Sequence, residues 1–79
     1  MKLYVTTESI PYETYQSLLD VDIDQLKIQN RLAVRMKEDI ESGYVSPETE
    51  LALWEKDLTT NDMKIIRRWE WRKNKWNKM

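Results

Sequence analysis

The sequence predicts a mainly α-helical fold, a small bundle of three to four helices behind a short extended N-terminal segment. Three observations lead there. One glycine and two prolines in 79 residues leave little turn chemistry for a many-stranded sheet. Apolar residues recur at three- and four-residue spacing through the middle of the chain, the period of a helix with one buried face. Ser46-Pro47-Glu48 has the form of a helix start: an N-cap hydroxyl, a proline at the first helical position and an acid near the positive helix end.

Taken in order, Lys2-Leu3-Tyr4-Val5-Thr6-Thr7 is β-branched and aromatic and reads as extended. Pro11 opens a first helix over 11–19, with Tyr15, Leu18 and Leu19 at one-turn spacing. Asp22 with Gln25 forms a loose capping box, and a long helix then runs to Gly43. Its inward face is Ile28, Leu32, Met36, Ile40 and Tyr44, flanked by Leu26 and Ala33, with Val34 outside. A third helix begins at Ser46 and buries Leu51, Trp54 and Leu58, and Thr59 or Thr60 caps a fourth helix carrying the rest. Arg68-Trp69-Glu70-Trp71-Arg72 also alternates with period two. That supports a second arrangement, β-α-α-α-β, in which residues 64–72 pair as a strand with the N-terminal segment.

Seventy-nine residues hold one domain, 1–79, with a small core and no room for a deep cavity. The chain has neither cysteine nor histidine, so disulfides, thiolate metal sites and the commonest general base are all missing. An apolar stretch of membrane-spanning length is absent, and MKLYVTTESIPYE turns acidic where a signal peptide would be apolar. A cytoplasmic protein is the expectation. The net charge of −1 hides a division at Met63. Before it stand six basic and thirteen acidic residues, a net of −7, and from it onward seven basic residues and Glu70, a net of +6. Charge segregated in this way marks either an interaction tail or an internal clasp between tail and body.

No enzyme and no cofactor are expected, because carboxylates alone need a shaped, buried pocket to work as acid and base. Asp20-Val21-Asp22-Ile23-Asp24 spaces its acids as a calcium loop does, but Gln25 stands where that loop needs glycine and Arg31 where it needs a bidentate glutamate. The informative part is the basic, tryptophan-rich segment 63–79. Read as a helix, it places Ile65, Ile66, Trp69 and Trp76 against the body and leaves Trp71 exposed amid Lys64, Arg67, Arg68, Lys75 and Lys78. Tryptophan and arginine are the residues most enriched at binding hot spots. The expected binding set is therefore Lys64, Arg67, Arg68, Trp71, Arg72, Lys75 and Lys78.

Three functions fit this segment. A regulatory or inhibitory module would occlude an acidic surface of a partner protein, anchored by Trp71. A nucleic-acid accessory protein would neutralise phosphates and stack the indole on a base, although the acidic body repels a long polyanion. A self-associating homo-oligomer would clasp a neighbour. Membrane binding is not expected, since the tryptophans fall on both faces of the helix. The acids Glu38, Asp39, Glu41, Glu48, Glu50, Glu55 and Asp57 form a solvated face, or imitate nucleic-acid phosphates before a basic groove. The short, lysine- and asparagine-rich tail and the lack of catalytic residues are similar in kind to those of small accessory proteins of phages and other mobile elements.

Overall fold

The extended segment at the N-terminus continues to Ser9, and one of its two partners is the stretch expected to form a third helix. The computed structural model describes residues 1–13 and 16–79. In chain order its elements are β1 (Lys2–Ser9), β2 (Ser17–Asp22), α1 (Gln25–Ser42), β3 (Glu50–Asp57), β4 (Met63–Arg72) and β5 (Lys75–Lys78). The strands form one antiparallel sheet in the order β2-β1-β3-β4-β5, and α1 lies against one face.

The helical bundle is thus replaced by a sheet with one helix. Pro11 and Tyr12 form a turn, and Leu18 and Leu19 belong to β2 rather than to a first helix; Tyr15 lies outside the described residues. The third helix is β3, whose Leu51-Ala52-Leu53-Trp54 is a short continuous apolar run. Such runs suit a central strand, and periodicity alone does not separate them from a buried helix. The fourth helix is the β4–β5 hairpin. The β-α-α-α-β arrangement also falls: its strand at 64–72 exists within β4 but pairs with β3 rather than with the N-terminal segment, and only one helix is present among the described residues.

Scarce glycine misleads here because the turns place other residues at positive φ: Tyr12 (76°), Glu48 (69°), Asn61 (65°), Lys73 (54°) and Asn74 (60°). Lys73 and Asn74 are the two-residue loop of the β4–β5 hairpin, and positive φ at both positions matches the right-handed twist of the flanking strands. Between β3 and β4 the Asp57 carboxylate accepts the Thr59 N–H at 2.8 Å, and the Asn61 N–H donates to the Asp57 carbonyl at 2.7 Å. These bonds close the loop without glycine.

The long helix forms as the sequence predicts, but it starts two residues later than the Asp22–Gln25 capping box would place it. Asp24 is the N-cap, accepting the Leu26 and Lys27 N–H groups at 3.0 and 3.2 Å, and Gly43 ends the helix at φ 70° with its N–H on the Asp39 carbonyl at 2.8 Å. Its inward face is narrower than expected. Ile28 and Leu32 are buried, whereas Leu26, Ile40 and Tyr44 are exposed. A helix laid on one face of a sheet covers only the stripe that touches it. An added Cβ at Gly43 meets nothing within 4 Å, so Gly43→Ala is expected to cost only backbone strain, about 1–2 kcal/mol, read as a lower urea midpoint with unchanged circular dichroism.

Strand alternation divides the side chains between the two faces. Toward α1 point Thr6, Leu51 and Leu53, all buried, together with their β4 neighbours Arg67 and Trp69. The other face carries Val5, Ala52, Trp54 and Ile65, and no helix or strand among the described residues covers it. There the Trp54 indole N–H donates to the Thr7 hydroxyl at 2.9 Å. Among the described residues no helix is long and apolar enough to cross a membrane.

Candidate functional site

A strand splits the basic segment differently from a helix. Side chains alternate, so the pairs Trp69–Lys78 and Trp71–Trp76 share the helix side with Arg67, while Arg72–Lys75 and Arg68 share the open side. The ring of five cations around Trp71 therefore does not form. Trp71 is 2% exposed, its ring meeting that of Trp76 edge-on at a centroid distance of 5.1 Å and 72°. The Trp76 indole N–H in turn donates to the Asp39 carboxylate at 3.2 Å, tying the hairpin to the C-terminal half of α1. Trp71 belongs to the core, with its backbone N–H on the Thr49 carbonyl at 2.8 Å.

Trp69, read from sequence as core, is only half-buried. With Arg67 it forms one wall of an open groove of about 210 Å³, whose other wall is the Gln29, Leu32, Ala33 and Met36 flank of α1. Leu26 and Ile40 stand seven residues either side of Ala33, on nearly the same line of the helix, and are 65% and 50% exposed. The groove thus continues as an apolar stripe. Sequence reasoning missed it because those residues were assigned to the buried face; the available signal was the seven-residue repeat Leu26, Ala33, Ile40 beside the true core line Ile28, Leu32.

The charges of the hairpin are mostly unmatched. Lys64 reaches Glu55 at 3.6 Å, and Arg72 pairs with Glu70. Among the described residues, Arg67, Arg68, Lys73, Lys75 and Lys78 have no carboxylate within 4 Å. Of the two readings of the charge division, the internal clasp is represented among the described residues only by Lys64–Glu55. Lys75 and Lys78 have a further use, since charge on a short edge strand opposes pairing with another chain.

The acidic run at 20–24 is structural. Asp24 caps the helix, and Arg31 donates to Asp20 at 2.7 and 3.0 Å and to Asp22 at 2.8 Å. The Arg31 hydrogen bonds hold the Asp20 carboxyl below its ordinary value of 3.8; for Asp22 the Asp24 N–H is the larger cause and Arg31 the second. Carboxyls whose folded affinity for protons is depressed add stability above the ordinary aspartate range, and that contribution is lost as pH falls through their lowered values. Arg31→Ala is therefore expected to be less stable than the parent at pH 6, with the gap closing as pH falls below about 4, measured as urea midpoints across pH. The acids of the expected third helix separate likewise: Glu50 faces the open side and Glu55 the helix side, Glu55 being held low chiefly by its hydrogen bond with Lys2. Among the described residues no group of three or more carboxylates is arranged to hold a metal ion.

What this surface offers chemically is a guanidinium, an indole and an aliphatic wall around one small groove, beside cations without partners. It suits an apolar side chain flanked by carboxylates. No protein-family model, curated protein or solved structure matches the chain.

Proposed function

We propose that this chain is a small, non-enzymatic, cytoplasmic regulatory or inhibitory protein that occludes an acidic surface of a partner protein. The observation that carries the reading is that Arg67 and Lys78, which have no carboxylate partner among the described residues, lie on the helix side of the hairpin beside the α1–β4 groove. An ion pair satisfied at home has little left to give a partner, whereas an unmatched cation steers an acidic surface and suppresses wrong ones. The groove supplies the second half of recognition, because arginine and tryptophan around a pocket are the commonest anchors of binding energy. Arg67 and Trp69 take that role, with Lys78 beside them.

A nucleic-acid partner fits less well. Base stacking needs a free indole face, but Trp71 is in the core, Trp69 is one wall of the groove, and Trp54 on the open face is half-buried with its indole N–H on the Thr7 hydroxyl. The cations are also spread over both faces of the hairpin rather than along one track. The test is capture of a partner from native lysate by the parent and by two surface variants, Arg67→Glu with Lys78→Glu, and Ala33→Glu, which places a charge in the groove. The expected result is a discrete protein that survives nuclease treatment and is lost in both variants while their circular dichroism is unchanged. Bound material that disappears with nuclease, or a protein retained equally by both variants, would overturn the proposal.

A further inference from the structure

The central strand of the sheet is apolar on both faces. Leu51 and Leu53 point to α1, while Ala52 and Trp54 point the other way, and such a run without alternation is the pattern of a strand covered on both sides. No helix or strand among the described residues covers the open face. There Val21, Val5, Trp54 and Ile65 form one row across four strands, and Leu3 and Met63 flank Lys56 in the next row, with Val21, Ile65 and Met63 still exposed. An antiparallel sheet with one wet face ordinarily lines that face with polar side chains.

β3 also carries a pattern that matches itself. Along the open face its side chains are, in order, Glu50, Ala52, Trp54 and Lys56. Run antiparallel against a second copy, this series sets Glu50 over Lys56 and the small Ala52 over the large Trp54, and a two-fold axis repeats both contacts. Among the described residues neither Glu50 nor Lys56 has an ion-pair partner within the chain. Two-fold interfaces require this kind of self-complementarity, and facing sheets interdigitate side chains across about 10 Å. Four strands about 4.8 Å apart and about 26 Å long present about 500 Å² per copy, hence about 1,000 Å² in a pair, the lower limit for a specific association.

We infer that the chain forms a two-fold symmetric homodimer by stacking its open sheet faces across β3, with Glu50 of each copy over Lys56 of the other and Trp54 over Ala52. The helices and both α1–β4 grooves then face outward. The dimer does not depend on the partner-binding reading, because the two surfaces lie on opposite faces of the sheet.

The test is sedimentation of the full chain over a concentration series. The parent is expected to pass from the monomer mass of 9.6 kDa to twice that value. Lys56→Glu sets two carboxylates against each other at both symmetry-related contacts and is expected to weaken the dimer by about tenfold. Glu50→Lys combined with Lys56→Glu exchanges the signs and is expected to restore it, a rescue that a merely structural role for either residue would not give. All three chains should share one circular dichroism spectrum. A mass fixed at the monomer value throughout, a dimer indifferent to Lys56→Glu, or a double variant no better than the single one would each overturn the inference.

Discussion

Trp71→Ala is expected to be the most damaging single substitution in the chain, removing about 3–5 kcal/mol of stability. The indole is 2% exposed and packs edge-on with Trp76, so its removal leaves a large void between the hairpin and α1. Small domains hold total stabilities of about 5–15 kcal/mol, and this one belongs at the lower end by size. The variant should therefore be largely unfolded at 37 °C. Its backbone bonds to Thr49 and Glu48 do not depend on the side chain, so Trp71→Phe, which keeps much of the volume, should recover more than half of the loss. Urea unfolding followed by circular dichroism measures both. A Trp71→Ala chain that stayed as stable as the parent but lost its partner would reverse the assignment, making this residue the exposed anchor that helical periodicity suggests.

The move of Trp71 from expected anchor to core residue separates what the sequence made legible from what it did not. In segment 63–79 the charge was legible, because composition does not depend on conformation. The exposure of each tryptophan was not legible, because a 100° period places Trp69 and Trp71 on opposite faces and a 180° period places them on the same one. One signal could have decided between them: Lys73-Asn74 separates two period-two runs, and a two-residue spacer holding asparagine is a hairpin signature. Segment 46–58 failed for a different reason. Ser46-Pro47-Glu48 satisfies every local rule for a helix start, and Leu51, Trp54 and Leu58 happen to fall at helical spacing, yet pairing of Glu50–Lys56 with both β1 and β4 outweighs that propensity. Strand preference is settled by neighbours more than by the segment itself. Helix α1 was legible because its signals are local: an acid ahead of Gln25 at one end, although Asp24 rather than Asp22 is the cap, Gly43 at the other and apolar residues at helical spacing that include Ile28 and Leu32.

The groove was out of reach for a related reason. It exists only because α1 crosses the sheet so that Met36 and Ala33 come to overhang Arg67 and Trp69, residues more than thirty positions away in sequence. A helix wheel drawn without the sheet places Leu26 and Ile40 in the core, where the structure leaves them exposed. The open face is similar: its self-complementary series on β3 becomes visible only once residues 50–57 are known to be a strand.

The second large effect is expected at Ile28. α1 is attached to the sheet by two buried side chains, Ile28 and Leu32, and by polar contacts at its flanks: Arg31 with Asp20 and Asp22, Arg35 with Glu8, and Asp39 with Trp76. The ion pairs are partly exposed and contribute at most about 1 kcal/mol each, so the apolar pair carries the attachment. Ile28→Ala should cost about 2–5 kcal/mol. It should also lower the helical and sheet signals in one transition, because the same contact shields Leu51 and Leu53 from water. Val34→Ala, on the solvent side of the helix, should change stability by less than about 0.5 kcal/mol. Leu26→Ala, exposed on the groove-side stripe, should likewise leave the urea midpoint in place while weakening capture of the partner protein. If Ile28→Ala instead melted the helix and left the sheet transition unmoved, α1 would be an appendage to an independently stable sheet. The α1–β4 groove would then be a hinge rather than a preformed site.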